Sequence, residues 1–125
     1  MRKAITIAAA ILWVLVGAVA VSAVTVTDVY NAPNPLVTQT TFYLVYYPTP
    51  HDFDSVVIKI YDLSSQQVAQ PYAEDTDRVT WNGTNFGGEQ LANGIYLYRA
   101  YVYEKEMGVP KLIWQSNVKT MAILR

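Results

Sequence analysis

The chain contains no cysteine. That excludes disulfides, thiolate metal sites, a thiol nucleophile and lipid attachment through an N-terminal cysteine, so a domain built from it is held by packing alone. Charge is also sparse, at 15% of residues. Nine basic residues face ten acidic ones, and two of the nine, Arg2 and Lys3, lie at the extreme N-terminus, which leaves the rest of the chain at −3. A weakly acidic domain without a Lys/Arg cluster lacks the electrostatic footprint of a nucleic-acid binder. There is one histidine, and neither a Gly-x-Ser-x-Gly motif nor a phosphate loop occurs. Beyond residue 23 no segment shows helical periodicity.

What the chain does have begins with its leader. Met1-Arg2-Lys3 is positive, Ala4 to Ala20 is uncharged with Thr6 as its one polar side chain, and Val21-Ser22-Ala23 offers a small-residue cleavage site. This is the three-part pattern of a secretory signal. The apolar run from Ala4 to Val24 is also about long enough to span a bilayer as a helix. Residues 1–23 are therefore either a signal peptide that is removed or an anchor that is retained. Both readings export residues 24–125, to the periplasm, the cell surface or the medium, with membrane contact only through the N-terminal segment.

The 125 residues imply one domain. Ten tyrosines, with abundant Val, Ile and Thr, weight the exported part toward strands. Strands are expected over 24–30, 40–47, 55–62, 67–70, 78–81 and 95–104, with a return along 111–124 that bends at Ser116-Asn117. In the third, Val56, Ile58 and Ile60 share a face, and Lys59 marks the opposite face as wet. In the longest, Tyr96, Tyr98, Ala100 and Val102 face in, and Arg99 points out. In the second, Phe42, Leu44, Tyr46 and the alternate set Thr41, Tyr43, Val45, Tyr47 are both apolar, and the buried face is open. Asn31 to Pro35, with its two prolines, reads as an extended crossing, and Pro71 to Asp77 as a polar loop. About seven short strands bounded by turn signals, without crossover helices, give an all-β, single antiparallel sandwich.

Three stretches, taken in order, carry a resemblance. They are Asn31-Ala-Pro-Asn34-Pro35 followed by Thr40-Thr-Phe-Tyr-Leu44; Val57-Ile-Lys-Ile-Tyr-Asp62; and Trp81-Asn-Gly83, Gly87-Gly88 and Asn93-Gly94-Ile-Tyr96-Leu-Tyr-Arg99, closing with Lys119 to Arg125. This set resembles the FlgD-type immunoglobulin-like domain, named for the flagellar hook-cap protein and similar to the C-terminal sorting modules of the type IX secretion system. The resemblance implies an immunoglobulin-like sandwich in which Asn34, Pro35, Trp81, Gly83, Gly88, Gly94 and Tyr96 define the fold. Ser65 stands where the family has glycine, and Asn82 where it commonly has Asp.

Candidate sites are few. His51 lies beside Asp52 and near Asp54, in turn composition without a second nitrogen ligand, and reads as a solvated loop. Glu74, Asp75 and Asp77 are the weak metal candidates, since hard cations such as calcium want several oxygens. No other cofactor and no catalytic residue is expected. The outward set Tyr61, Tyr101 and Tyr103, with Trp114, is a candidate binding face, because flat rings stack on sugars or dock on proteins. The expected function is therefore a non-catalytic structural or interaction module. Its expected partners are other envelope or surface proteins, or itself. The alternatives are a small carbohydrate-binding or adhesion module, with polysaccharide as partner, and a sorting or anchoring element.

Overall fold

The alternation in the sequence becomes burial. A computed structural model describes residues 24–125, all of them strand, turn or coil without a helix; the leader and its cleavage site lie outside the described residues. In chain order the strands are β1 (Thr25–Ala32), β2 (Thr40–Tyr47), β3 (Phe53–Tyr61), β4 (Gln67–Ala69), β5 (Tyr72–Thr76), β6 (Arg78–Trp81), β7 (Gly94–Glu106), β8 (Val109–Gln115) and β9 (Lys119–Ile123). All ladders between them are antiparallel.

Nine strands occupy seven lanes. A three-lane sheet runs β1-β2-β6. In the second sheet β3 and β7 pair centrally, β4 and β5 share the free side of β3, and β8 and β9 share the free side of β7. Pro71, which has no N–H to give a ladder, separates β4 from β5. Ser116 separates β8 from β9 and mends the gap: its N–H donates to the Ala100 carbonyl (2.9 Å), and its Oγ accepts from the Ala100 N–H (2.9 Å).

β5 departs from the expectation of a loop over 71–77. It is an edge strand with Glu74 opposite Ser55 and Tyr72 opposite Val57. Neither face of it is covered enough to require apolar alternation, so its composition reads as loop while its backbone pairs.

The core lies between the sheets. Val56, Ile58, Ile60, Ala100 and Val102 have no exposed surface, and Val29, Phe42, Val79, Met121 and Ile123 are at most 2% exposed. In β2 the open question of facing is settled: Phe42 and Leu44 turn in, and Tyr43, Val45 and Tyr47 turn out. Phe42 meets Tyr98 edge to face at 4.9 Å, so an aromatic pair joins the two sheets. Trp81 closes one end, 6% exposed, and its indole N–H donates to the Thr84 carbonyl at 3.1 Å.

The proline segment does cross, but with bends rather than as a straight extended run. Leu36 is fully buried and sits beside Ile123 of the opposite sheet. Its N–H donates to the Ala122 carbonyl (2.8 Å), its carbonyl accepts from Leu124 (2.9 Å), and the Asn34 Oδ1 accepts from the Ala122 N–H (3.0 Å). Asn34 and Leu36, on either side of Pro35, thus stitch the segment after β1 to β9. In a cysteine-free domain such hydrogen-bonded stitches do the work of a cross-link.

Two turns rest on unusual backbone. Ser65 adopts a φ of 68°, the left-handed conformation that glycine prefers, in a turn organised by Asp62, whose carboxylate accepts from the Ser64 hydroxyl and the Gln66 N–H. Met107 has a φ of 53°, leads a two-residue hairpin between β7 and β8, and is 98% exposed. Met gains nothing from packing there and carries left-handed strain, whereas Asn tolerates that region. Met107→Asn is expected to stabilise the fold by about 1 kcal/mol, read as a higher denaturant midpoint with an unchanged slope; an unchanged or lower midpoint contradicts this reading of the turn.

A second test concerns Gly83, which is buried with a φ of 77°, where an added Cβ would collide with the Arg125 guanidinium and press on Leu36. Gly88 has a similar φ of 81° and open space around it. Gly83→Ala is therefore expected to cost at least about 1 kcal/mol more than Gly88→Ala in equilibrium unfolding. Equal costs would mean that the closure around Arg125 adds nothing.

Candidate functional site

What β3 and β7 do not bury shares one outer face. Tyr61 lies opposite Leu97, Lys59 opposite Arg99, Val57 opposite Tyr101 and Ser55 opposite Tyr103. Directly opposed residues share a face, so Tyr61, Tyr101 and Tyr103 form a single patch, each half-buried. Lys59 Nζ sits 4.7 Å from the centre of the Tyr101 ring, a cation–π contact that holds both side chains down on the sheet. The Tyr61 hydroxyl is pushed above its ordinary pKa, first by desolvation and then by its neighbour Tyr101, with the Arg99 charge opposing.

The structure separates Trp114 from this set. Trp114 pairs with Val102, which is fully buried, and its ring packs against the rim of the core. A bulge between Val102 and Tyr103 shifts the register of β8, so counting by two along the strand places the indole on the wrong side. Leu112, opposite Tyr103, takes the outward place.

A second aromatic face covers the three-lane sheet. Tyr30 and Tyr43 stack with ring centres 5.3 Å apart, and Arg78 lies over Tyr43 at 5.2 Å. Val45 and Tyr47 extend it and are 40% and 57% exposed. The sequence signal for this face is the alternate set of β2, which matches the inward set in apolarity and so hides which side is wet.

His51 is not the free loop residue expected. Its Nε2 lies 2.5 Å from Glu104 Oε1, and its ring meets Phe53 edge to face at 4.6 Å. Its backbone N–H donates to the Tyr46 hydroxyl (3.2 Å), which in turn donates to Asp77 Oδ2 (2.9 Å). The partner Glu104 is distant in sequence, which is why a local reading of residues 48–54 misses it.

Glu74, Asp75 and Asp77 do not converge. Glu74 and Asp75 are adjacent, exposed strand residues, and Asp77 is engaged by Arg78 and Tyr46. Among the described residues no group of three His, Asp or Glu is placed to hold a metal ion. The residues read as fold-defining sit at joints: Asn34 and Pro35 at the stitch to β9, Trp81 at the closed end, Gly83 against Arg125, Gly88 in a turn ahead of β7 and Gly94 as the first residue of β7. Tyr96 is 8% exposed and donates its hydroxyl proton to the Ala92 carbonyl (2.7 Å). Arg125 closes the same end, donating to the carbonyls of Leu91 (3.0 Å), Asn82 (2.8 Å) and Gly83 (3.3 Å).

The two faces offer flat rings, cations and hydroxyls, the means of recognition by contact. Comparison with protein-family models and with curated proteins finds no match for the chain.

Four carboxylates are held below their ordinary pKa. The Lys119 ammonium does this to Asp28, helped by the Val29 N–H; the Lys105 N–H to Asp54; the Ser64 hydroxyl and then the Gln66 N–H to Asp62; and the Arg78 guanidinium to Asp77. A depressed carboxylate stabilises the fold above its unfolded value near 3.9, and that contribution is lost as pH falls through the folded value. The thermal midpoint is thus expected to fall below about pH 4, and Asp28→Asn to make the acid limb shallower. A midpoint unchanged down to about pH 2 would contradict the assignment.

Proposed function

We propose that the chain is an exported, non-catalytic interaction module of immunoglobulin-like type, acting at the cell surface or in the envelope. The observation that carries this reading is the pair of uncovered aromatic faces, one on each sheet, on a domain whose leader has the pattern of an export signal. A monomer that met nothing outside the cell would have no use for tyrosines arrayed with cations on both outer surfaces. The strand order supports the immunoglobulin-like type: β1, β2 and β6 in one sheet against β4/β5, β3, β7 and β8/β9 in the other, a Greek-key arrangement. The resemblance to the FlgD-type domain agrees with it, since Asn34, Trp81 and Gly83 occupy the structural joints that such a fold needs.

A second reading, carbohydrate binding, is favoured by Tyr61, which lines an open groove with Leu97 and Arg99. The sorting reading is harder to isolate experimentally. Met121 and Ile123 of the closing segment are core residues, so removing Lys119 to Arg125 dismantles the sheet along with any address it carries.

The purified exported protein is expected to sediment with envelope or surface material, or to self-associate. The double variant Tyr61→Ser/Tyr101→Ser is expected to weaken this retention at least about tenfold, as loss of two contact aromatics does at protein interfaces, while leaving the protein folded by circular dichroism. A strictly monomeric protein retained by no surface fraction contradicts the proposal.

A further inference from the structure

The cations of the described residues are mostly accounted for. Arg78, Lys111 and Lys119 are in ion pairs with Asp77, Glu106 and Asp28, and Arg125 is held by backbone carbonyls. Lys105 is exposed and in no ion pair among the described residues, and Lys59 and Arg99 differ from all of these in their placement. They lie directly opposite each other across the β3–β7 ladder, both half-buried, and neither has a carboxylate at ion-pair distance among the described residues. Like charges directly opposed on a sheet destabilise it. Here the pair stands in an acidic domain with carboxylates to spare, so neutralisation was available and is absent.

Arg99 is also aimed. Its Nε donates to the Ser116 carbonyl (3.0 Å), which fixes the guanidinium, and among the described residues its two terminal nitrogens have no partner. Arg99 borders an open groove of about 210 Å³ lined also by Tyr61, Ser65, Leu97 and Val118. A fixed guanidinium fork is suited to a carboxylate, and a phenol ring with an aliphatic neighbour is suited to a flat sugar face. The far end of the same sheet face is mixed and more acidic: two carboxylates, Asp54 and Glu74, outnumber the one ammonium, Lys105, on the surface beside Tyr103. That bounds the attractive region to the Lys59–Tyr61–Arg99 end.

From these observations we infer that the groove at Tyr61 and Arg99 binds an acidic polysaccharide, with a uronate carboxylate held by Arg99 and Lys59 and its sugar ring on Tyr61. Tyr101 positions Lys59 through the cation–π contact and need not touch the ligand. An acidic peptide fits less well, because the face of a sheet, unlike its edge, offers a peptide no backbone hydrogen bonds. The inference rests on the carbohydrate reading above and adds the charge of the sugar.

The test is calorimetric titration of the purified protein with four probes: polygalacturonate, its fully methyl-esterified form, neutral dextran and sodium polyacrylate. Polygalacturonate is expected to bind, with an affinity that weakens as salt rises, and the other three to bind at least about tenfold more weakly, as expected for loss of a charge-assisted contact or of the sugar face. Arg99→Gln and Lys59→Gln are each expected to lower polygalacturonate affinity by about tenfold or more. Tyr30→Ala, on the other sheet, should leave it unchanged. Lys59→Gln touches no hydrogen bond of the fold, so it carries the test if Arg99→Gln unfolds. Equal binding of the methyl ester overturns the charge assignment and leaves the carbohydrate reading standing. Equal binding of polyacrylate overturns the sugar assignment. If poly-glutamate, added in a competition titration, displaces polygalacturonate at equal carboxylate concentration, the glycan is replaced by a protein partner. No binding of any probe overturns both the inference and the reading it rests on.

Discussion

Everything in this domain depends on one register, that of β3 against β7. Seven consecutive pairs, from Ser55 with Tyr103 to Tyr61 with Leu97, fix which side chains go in and which go out. Inward, Val56, Ile58 and Ile60 meet Val102, Ala100 and Tyr98, none more than 2% exposed. Outward, the same ladder sets Tyr61, Lys59 and Val57 beside Leu97, Arg99 and Tyr101. A slip of β3 by one residue would bury Lys59 and expose Val56, Ile58 and Ile60, a cost comparable to the few kcal/mol of net stability that a domain of this size has or larger. The core that specifies the register therefore also builds the outer face, without any residue of that face having to stabilise the fold.

The remaining elements close what this pair leaves open. The three-lane sheet covers the inner face through Phe42, Leu44, Val79 and Trp81, and the Phe42–Tyr98 contact joins the layers. The free sides of β3 and β7 are filled by lanes that each break once, at Pro71 and at Ser116. With no disulfide, the ends are tied by hydrogen bonds: Leu36 and Asn34 to β9 at the first crossing, and Arg125 to three carbonyls at the last residue. Among the described residues no buried side-chain polar atom lacks a partner, so these ties are made without leaving an unsatisfied group behind.

Much of this architecture was legible in the sequence where one face carried a charge. Lys59 and Arg99 marked the wet sides of β3 and β7, and the inward sets followed. Where no charge broke the pattern, as in β2, both faces read alike and only the tertiary partner Tyr98 decides. The edge strand β5 hid because an edge needs no apolar periodicity, only a neighbour with free N–H and C=O groups. The outer patch was legible in part: Tyr61, Tyr101 and Tyr103 follow from alternation, but a bulge in β8 sends Trp114 inward, and bulges leave no trace in a period-two count. His51 with Glu104 and Tyr30 with Tyr43 are long-range pairs that no local spacing could announce. Ser65 is the opposite case. It stands where the resembling family has glycine, and its φ of 68° shows that the turn keeps the glycine geometry.

On the proposed reading, recognition is a property of what the β3–β7 register pushes outward, in particular Lys59 and Arg99 beside the groove at Tyr61. The most direct test is residue-resolved NMR of the protein titrated with the surface polysaccharide of its own host. If the outward β3–β7 face is the binding face, the largest shift changes fall on Lys59, Tyr61, Leu97, Arg99 and Tyr101, while Tyr30, Tyr43 and Arg78 stay still. Changes centred on the three-lane sheet, or none at all, would contradict it.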